Sequence, residues 1–311
     1  MQPRTRFAPS PTGELHVGNA FSALLCQQWA EQHSTGLLLR VEDIDFNRCR
    51  TEFADGLIED LHWLGLNWQG EIRYQSQHTQ EYRDALHTLR EQDLIYPCFC
   101  TRRDIQREIE AIGLAPHIGD VPETYPGTCR KLSVDEQQAG IAQGRPFAWR
   151  LNAGKALRRS GRIFWLDAAG EEHELAGAMH DAVIGRKDIG FSYHLAVVLD
   201  DAAQGISHII RGDDLLGSTC LHRLLQALLE LPAPVYIHHP LLLGSDGERL
   251  AKRNHAPSLR QLRTNGCRAD TLRALLLGKA GDKPPVWTGL ADTNDERMVE
   301  AMMNDRMDKN A

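Results

Sequence analysis

The chain has 311 residues, 42% of them hydrophobic and 25% charged, with a formal net charge of -7. That is ordinary for a globular protein long enough to bury a core without staples, and it excludes a globally basic nucleic-acid binder. Seven scattered cysteines, no apolar signal segment and no run near the roughly 18 apolar residues of a membrane span predict reduced thiols, a cytoplasmic location and no membrane contact.

Arg4–Ala8 reads as a short strand that runs into the turn-forming cluster Pro9-Ser10-Pro11-Thr12-Gly13. Ala20, Leu24, Leu25 and Trp29 then recur at helical spacing, and residues 36–41 form an apolar strand interrupted only by Arg40. Phe53, Leu57, Leu61 and Leu64 make a second helical stripe, and Tyr82, Leu86 and Leu89 a third. This strand–helix alternation predicts an α/β fold with a parallel sheet. From Pro97 to Arg130 the pattern breaks into a Cys-, Pro- and Gly-rich module, with strands expected at 147–151 and 163–166. The alternation resumes at Phe191, where 195–199 and 206–210 read as strands and 218–231 as an apolar helix. A polar loop over 244–256, helices over 258–264 and 270–277, and a polar tail from Asp292 complete the chain. The expected domains are a catalytic first half (1–96), the insertion (97–185), a catalytic second half (186–239) and a lysine loop with a helical C-terminal region (240–311).

Two segments carry phosphate chemistry. His16-Val17-Gly18-Asn19 lies where the first strand hands over to the first helix, a place where free N–H groups and the helix dipole favour an anion. Gly18 would let a flat base approach the backbone, and His16 can hydrogen-bond a phosphate. Far downstream, Lys252 in Gly244-Ser245-Asp246-Gly247-Glu248-Arg249-Leu250-Ala251-Lys252-Arg253 is a candidate electrophilic arm on a glycine-bearing loop. Either alone also fits an incidental polar loop. Cys98, Cys100 and Cys129 offer three thiols that suit zinc with one further ligand, or else are three free cysteines. RNA contact would depend on local patches at Arg48–Arg50, Arg102–Arg103, Arg158–Arg162 and Arg186–Lys187, each of which also fits a solvated face.

Taken together and in order, the two phosphate segments resemble the paired signatures of class I aminoacyl-tRNA synthetases, with Asn19 in place of a second histidine. Arg6-Phe7-Ala8-Pro9-Ser10-Pro11-Thr12-Gly13, Arg40-Val41-Glu42-Asp43-Ile44-Asp45, Tyr193-His194-Leu195-Ala196, Asp200-Asp201 and Ile210-Arg211-Gly212 resemble the glutamyl-tRNA synthetases. The resemblance implies a Rossmann-type parallel sheet with a zinc-bearing insertion and a helical C-terminal region. It implies that Arg6 and Arg211 hold the carboxylates of L-glutamate, since the planar guanidinium fork suits them. Phe7, Ala8, Pro9 and Ser10 would line that pocket, Glu42 would take the ammonium group, and Tyr193 would wall the site. His16, Gly18 and Lys252 would serve ATP with Mg2+.

Tyr125-x3-Cys129 resembles the zinc site of a smaller branch, the glutamyl-queuosine tRNA(Asp) synthetases. Tyr125 thereby becomes the implied fourth Zn2+ ligand, with His117 the alternative. The chain ends soon after the Lys252 loop, where larger relatives continue into an anticodon-binding half, and Val197 replaces an asparagine of discriminating glutamyl-tRNA synthetases. The expectation is a monomer that activates glutamate and delivers it to the tRNA(Asp) anticodon loop. The alternatives are a shortened glutamyl-tRNA synthetase and a silent RNA-binding paralogue.

Overall fold

A computed structural model describes residues 3–105, 125–175, 179–244, 250, 257–278 and 286–287. Its elements follow the chain as β1 (Thr5–Phe7), α1 (Val17–Gln32), β2 (Leu37–Val41), α2 (Thr51–Trp63), β3 (Arg73–Tyr74) and α3 (Thr79–Glu91). Next come β4 (Ile95–Cys98), α4 (Val134–Ala142), β5 (Ala148–Leu151), α5 (Ala153–Ser160), β6 (Phe164–Leu166), β7 (Glu172–Glu174), β8 (Val183–Gly185) and α6 (Tyr193–Ala203). The chain continues through β9 (His208–Gly212), α7 (Leu216–Leu228), β10 (Val235–His239), β11 (Leu243–Gly244), α8 (Leu259–Thr264), α9 (Ala269–Leu277) and β12 (Val286–Trp287). Two structural units result: Met1–Gln77 with Ile206–Gly217 and Val235–Ala311, and His78–Gly205 with Ser218–Pro234.

The first unit is the expected parallel α/β layer. β1 pairs with β2 in parallel, Arg6 opposite Leu38, and β2 pairs with β3. β9 and β10 form a second parallel pair with Arg211 opposite His238. Arg4 O accepts the N–H groups of Ser207 and His208, at 3.0 and 3.1 Å, so β9 starts beside β1. One core unites Val17, Phe21 and Leu24 of α1, Leu57 and Leu61 of α2 with Leu64 at its cap, Ile210 of β9, and Leu272 and Leu276 of α9. Leu61 and Leu64 are wholly buried; cutting either back to alanine is worth about 2–5 kcal/mol. α1 ends at Gln32 with His33 as its cap, and Ser34 takes a left-handed φ of 50° to turn the chain toward β2.

In the second unit β4, β5 and β8 form an antiparallel sheet, with a bulge between Trp149 and Arg150. β6 and β7 form a hairpin. The strand expected at 195–199 is instead the middle of α6. Ser192 caps that helix by accepting the Leu195 N–H, and Leu195, Ala196, Val197 and Val198 are all buried. An apolar run buried on every side loses the period that separates helix from strand. Inside the unit the Tyr82 hydroxyl of α3 donates to Asp200 of α6 at 2.8 Å, which satisfies a buried carboxylate.

Among the described residues no helix is long and apolar enough to cross a membrane. Lys252, His117 and the tail from Asp292 lie outside the described residues.

Candidate functional site

The turn into α1 is organised by its first polar side chains. His16 is the N-cap: its Nδ1 accepts the Gly18 N–H at 3.1 Å, and Asn19 Oδ1 accepts the His16 N–H at 3.1 Å. This capping box satisfies two of the helix's unpaired donors. Because Nδ1 accepts, a neutral ring carries its proton on Nε2. Gly18 is required by the same arrangement. A Cβ there would stand 2.9 Å from His16 Cε1 and 3.0 Å from Nδ1. Asn19, the departure from the family pattern, therefore has a task of its own in holding the histidine's backbone.

The described residues that flank the lysine loop converge on this helix end. Pro257 O accepts the Val17 N–H at 3.3 Å, the Leu259 N–H reaches Leu15 O at 2.8 Å, and Ser258 bridges His16. On the other side, Leu250 O would lie 3.8 Å from a Gly18 Cβ.

A short way along the same unit, two arginines more than nine-tenths buried lie on adjoining strands. Arg6 Nη1 donates to the carbonyl of Ile210 at 3.4 Å, and the Cys26 thiol points at the same oxygen at 3.8 Å. Burial pushes that thiol up to about 12, so it stays neutral. Arg211 Nε donates to His238 Nε2 at 3.3 Å, and its guanidinium carbon lies 4.9 Å from the Tyr236 ring centre. Burial first, then the Arg211 charge, holds His238 down to about 4, so the ring is a neutral acceptor at physiological pH. Glu42 has its own anchor: the fully buried Arg40 reaches Glu42 Oε1 at 3.2 Å. Ser10 Oγ donates to Glu42 O at 2.8 Å, and the Glu42 N–H donates to Pro9 O at 3.0 Å. Phe7 and Pro9 are buried, and Ala8 is half-buried.

Arg6, Ser10, His16, Gly18, Glu42 and Arg211 thus all belong to the first unit, whereas Tyr193, the first residue of α6, belongs to the second. Arg40, His238 and Tyr236 are supporting groups that the sequence did not single out. The two-residue spacing of Arg40 in β2 and Glu42 just past its end was the available signal, since extended backbone puts both on one side.

The second unit gathers the predicted thiols. The sulfurs of Cys98, Cys100 and Cys129 all lie within 4.8 Å of one another, and Cys100 and Cys129 are 3.4 Å apart. Tyr125 joins them: its hydroxyl accepts the Cys129 N–H at 2.8 Å and lies 3.8 Å from Cys100 Sγ. Gly127, at φ 82°, makes the left-handed turn that returns the chain from Tyr125 to Cys129. Hydrogen bonding from Cys98, helped by Tyr125 and the Phe99 N–H, pulls the Cys129 thiol down to about 6, while Cys98 is pushed up to about 12. Arg150 lays its guanidinium 3.9 Å from the Tyr125 ring centre, and Lys187 Nζ donates to Cys100 O at 2.9 Å. Of the basic patches, Arg48 is paired with Asp45, Arg162 with Glu174 and Arg186 with Asp188.

Residues 2–279 match the family described as tRNA synthetases class I (E and Q), catalytic domain. The chain is 41% identical over 282 residues to the glutamyl-Q tRNA(Asp) synthetase of Rhodobacter capsulatus, spanning 88% of this chain and 99% of that one. It is 38% identical over 269 residues to the glutamate–tRNA ligase of Aquifex aeolicus, spanning 86% of this chain and 55% of that relative. The crystal structure of a glutamate tRNA ligase from Elizabethkingia meningosepticum in complex with its amino acid superposes with a TM-score of 0.73 at 23% identity. It matches 96% of this chain and 64% of the other, and it shares the fold.

Proposed function

The chain belongs to the class I tRNA synthetases of the E and Q type, and from that premise we propose that this ligase activates L-glutamate with ATP and transfers it to the queuosine base at the wobble position of the tRNA(Asp) anticodon. It would do so in the cytoplasm as a monomer. The observation that carries the acceptor is the 41% identity spanning 99% of a relative named glutamyl-Q tRNA(Asp) synthetase.

Arg6 and Arg211 would grip the glutamate carboxylates. Both are nine-tenths buried on rigid strands, where a charged fork is screened little and pre-aimed. Glu42, braced by Arg40, would receive the ammonium group, with Ser10 shaping the rest of the pocket. One oxygen of the α-carboxylate attacks the α-phosphorus of ATP, the bond to the β-phosphate oxygen breaks, and pyrophosphate leaves. His16 Nε2–H would hold the phosphates, and Lys252 would join it from its loop. The first amides of α1 are already taken, Val17 N–H by Pro257 O and Gly18 N–H by His16 Nδ1, so the helix end contributes its dipole. Magnesium would arrive on the triphosphate and supply charge neutralisation there. In the second step a hydroxyl of the queuosine cyclopentenediol attacks the activated carbonyl. An ester forms, AMP departs, and the hydroxyl proton passes to solvent or to the leaving phosphate. An acyl adenylate is already reactive, so positioning can supply most of the remaining acceleration.

The cysteine cluster fits zinc. Tetrahedral Zn–S bonds of about 2.3 Å put sulfurs about 3.8 Å apart, and the sulfurs here lie within 4.8 Å of one another. Cys98, Cys100, Cys129 and Tyr125 would hold it, leaving no open position, so the ion would supply a cross-link and no chemistry.

The test is glutamate-dependent ATP–pyrophosphate exchange, followed by transfer of labelled glutamate to tRNA(Asp) with and without queuosine. Exchange with no dependence on glutamate would overturn the first step. Transfer that ignores queuosine would overturn the second.

A further inference from the structure

The loop from Glu42 to Arg50 leaves β2 and returns to α2 on two fixed feet. The Glu42 N–H donates to Pro9 O at 3.0 Å and the Arg50 N–H to Pro11 O at 3.3 Å, so the loop closes around Ser10. Ser10 Oγ bonds Glu42 O at 2.8 Å and lies 3.8 Å from Cys49 Sγ. Inside the loop, Asp45 O accepts the N–H groups of Arg48 and Cys49, at 2.9 and 2.8 Å. The Asp43 carboxylate is tied to the Ser76 N–H and hydroxyl, at 2.8 and 2.6 Å. A loop held at so many points is a platform.

What the platform presents is Phe46, 61% exposed, while its neighbours Ile44 and Asp45 are buried. Among the described residues the exposed large hydrophobic side chains are Phe46, Val134, Ile141, Leu166 and Leu216, and Phe46 is the aromatic one. One exposed apolar side chain means little by itself. Its setting makes the difference. Arg48, paired with Asp45 yet with its side chain 69% exposed, and the exposed Arg50 follow on the same loop, and Glu42 stands four residues before Phe46. That spacing limits Phe46 to about 14 Å from Glu42 along the chain. An aromatic face with cations beside it, fixed at the edge of an amino-acid site, matches how proteins hold single-stranded nucleic acid. The ring stacks a base and the charges meet its phosphates.

We infer that Phe46 stacks an unpaired RNA base next to the accepting nucleotide and so positions the RNA for transfer. This rests on the reading of the chain as a tRNA-modifying ligase. Phe46 touches neither glutamate nor ATP in this scheme, so adenylate formation does not depend on it.

The experiment pairs ATP–pyrophosphate exchange with single-turnover glutamate transfer to a queuosine-containing tRNA(Asp) anticodon stem-loop at varied RNA concentration. Phe46→Ala should leave exchange within about twofold of wild type and raise the half-saturating RNA concentration about 5- to 150-fold, the range for one lost base–aromatic stack. Phe46→Trp should restore it. An abasic nucleotide beside the acceptor should weaken wild type comparably and Phe46→Ala hardly further. Unchanged transfer by Phe46→Ala overturns the inference, as do a matching loss of exchange and failure of tryptophan to rescue. If wild type exchanges ATP yet places no glutamate on this stem-loop, the functional reading itself fails and the inference falls with it.

Discussion

Arg6 donates to the carbonyl oxygen of Ile210, the residue just before Arg211. The two arginines expected to bind carboxylates are thus coupled through one peptide, although most of the sequence separates them. Arg211 in turn rests on Tyr236 and the neutral ring of His238. Arg211→Lys keeps the charge but loses the fork and the stacking plane. A lost charged hydrogen bond is worth about 1.5–3 kcal/mol, so kcat/KM for glutamate in exchange should fall about 10- to 150-fold, mostly through KM. A variant with near-normal glutamate KM would remove Arg211 from the pocket.

Gly18→Ala tests the helix turn. Its methyl group would meet His16 Cε1 at 2.9 Å, so the imidazole must leave Nδ1's contact with the Gly18 amide. Loss of the cap should cost about 0.5–2 kcal/mol in thermal unfolding. The KM for ATP should rise while that for glutamate stays put. An equal rise in both would show that the damage is general.

Much of this was readable beforehand, for physical reasons. The Pro-Ser-Pro-Thr-Gly turn and the stripe that begins at Ala20 announced β1 and α1, because turn chemistry and helical period are local properties. Three thiols were conspicuous because cysteine clusters are rare in such a chain, whereas Tyr125 entered only through the resemblance to the smaller synthetase branch. The run 195–199 reads as a strand because four consecutive buried residues, 195–198, erase the helical period. Arg40 looked like a flaw in an apolar strand, yet it is the fully buried partner of Glu42. Arg150 over Tyr125 and His238 beneath Arg211 depend on tertiary proximity, which no local pattern encodes.

Asp60 on α2 provides a pH test. Burial pushes its carboxyl up to about 6, although Arg263 and Arg260 pull the other way. The unfolded chain releases that proton near an ordinary value of about 3.9. Between the two values the folded state binds more protons, so stability from this group falls as pH rises through that window and is level above it. The loss is on the order of 3 kcal/mol for a gap of about two pH units. Asp60→Asn should therefore raise the melting temperature relative to wild type above about pH 6, and the gain should vanish below about pH 4. Destabilisation of equal size at both ends would refute the assignment.

Freshly purified protein should carry about one zinc per chain, as a closed structural site would. Cys129→Ser should lose the metal and unfold the second unit at a lower temperature, and Tyr125→Phe should bind zinc more weakly with the fold retained. Chelation should impair transfer to RNA before it impairs exchange. Metal analysis that finds no zinc in unchelated protein would remove the site.

The acceptor should be the anticodon loop and not the terminal adenosine. A net charge of -7 gives the chain no overall electrostatic attraction for a whole tRNA, which favours recognition concentrated at the site. A wobble base splayed from its loop meets that need, because it is both the identity signal and the substrate. Loop bases are incompletely stacked, so extruding one costs little. A short anticodon stem-loop carrying queuosine should accept glutamate about as well as intact tRNA(Asp), and the same stem-loop with guanine should accept none. Periodate separates the two ends of the molecule. When glutamate is loaded first, the esterified queuosine diol is shielded, and label should survive treatment that destroys the free 3′-terminal diol. Label recovered instead on the terminal adenosine would make this chain a glutamyl-tRNA synthetase of shortened form and would discard the queuosine reading.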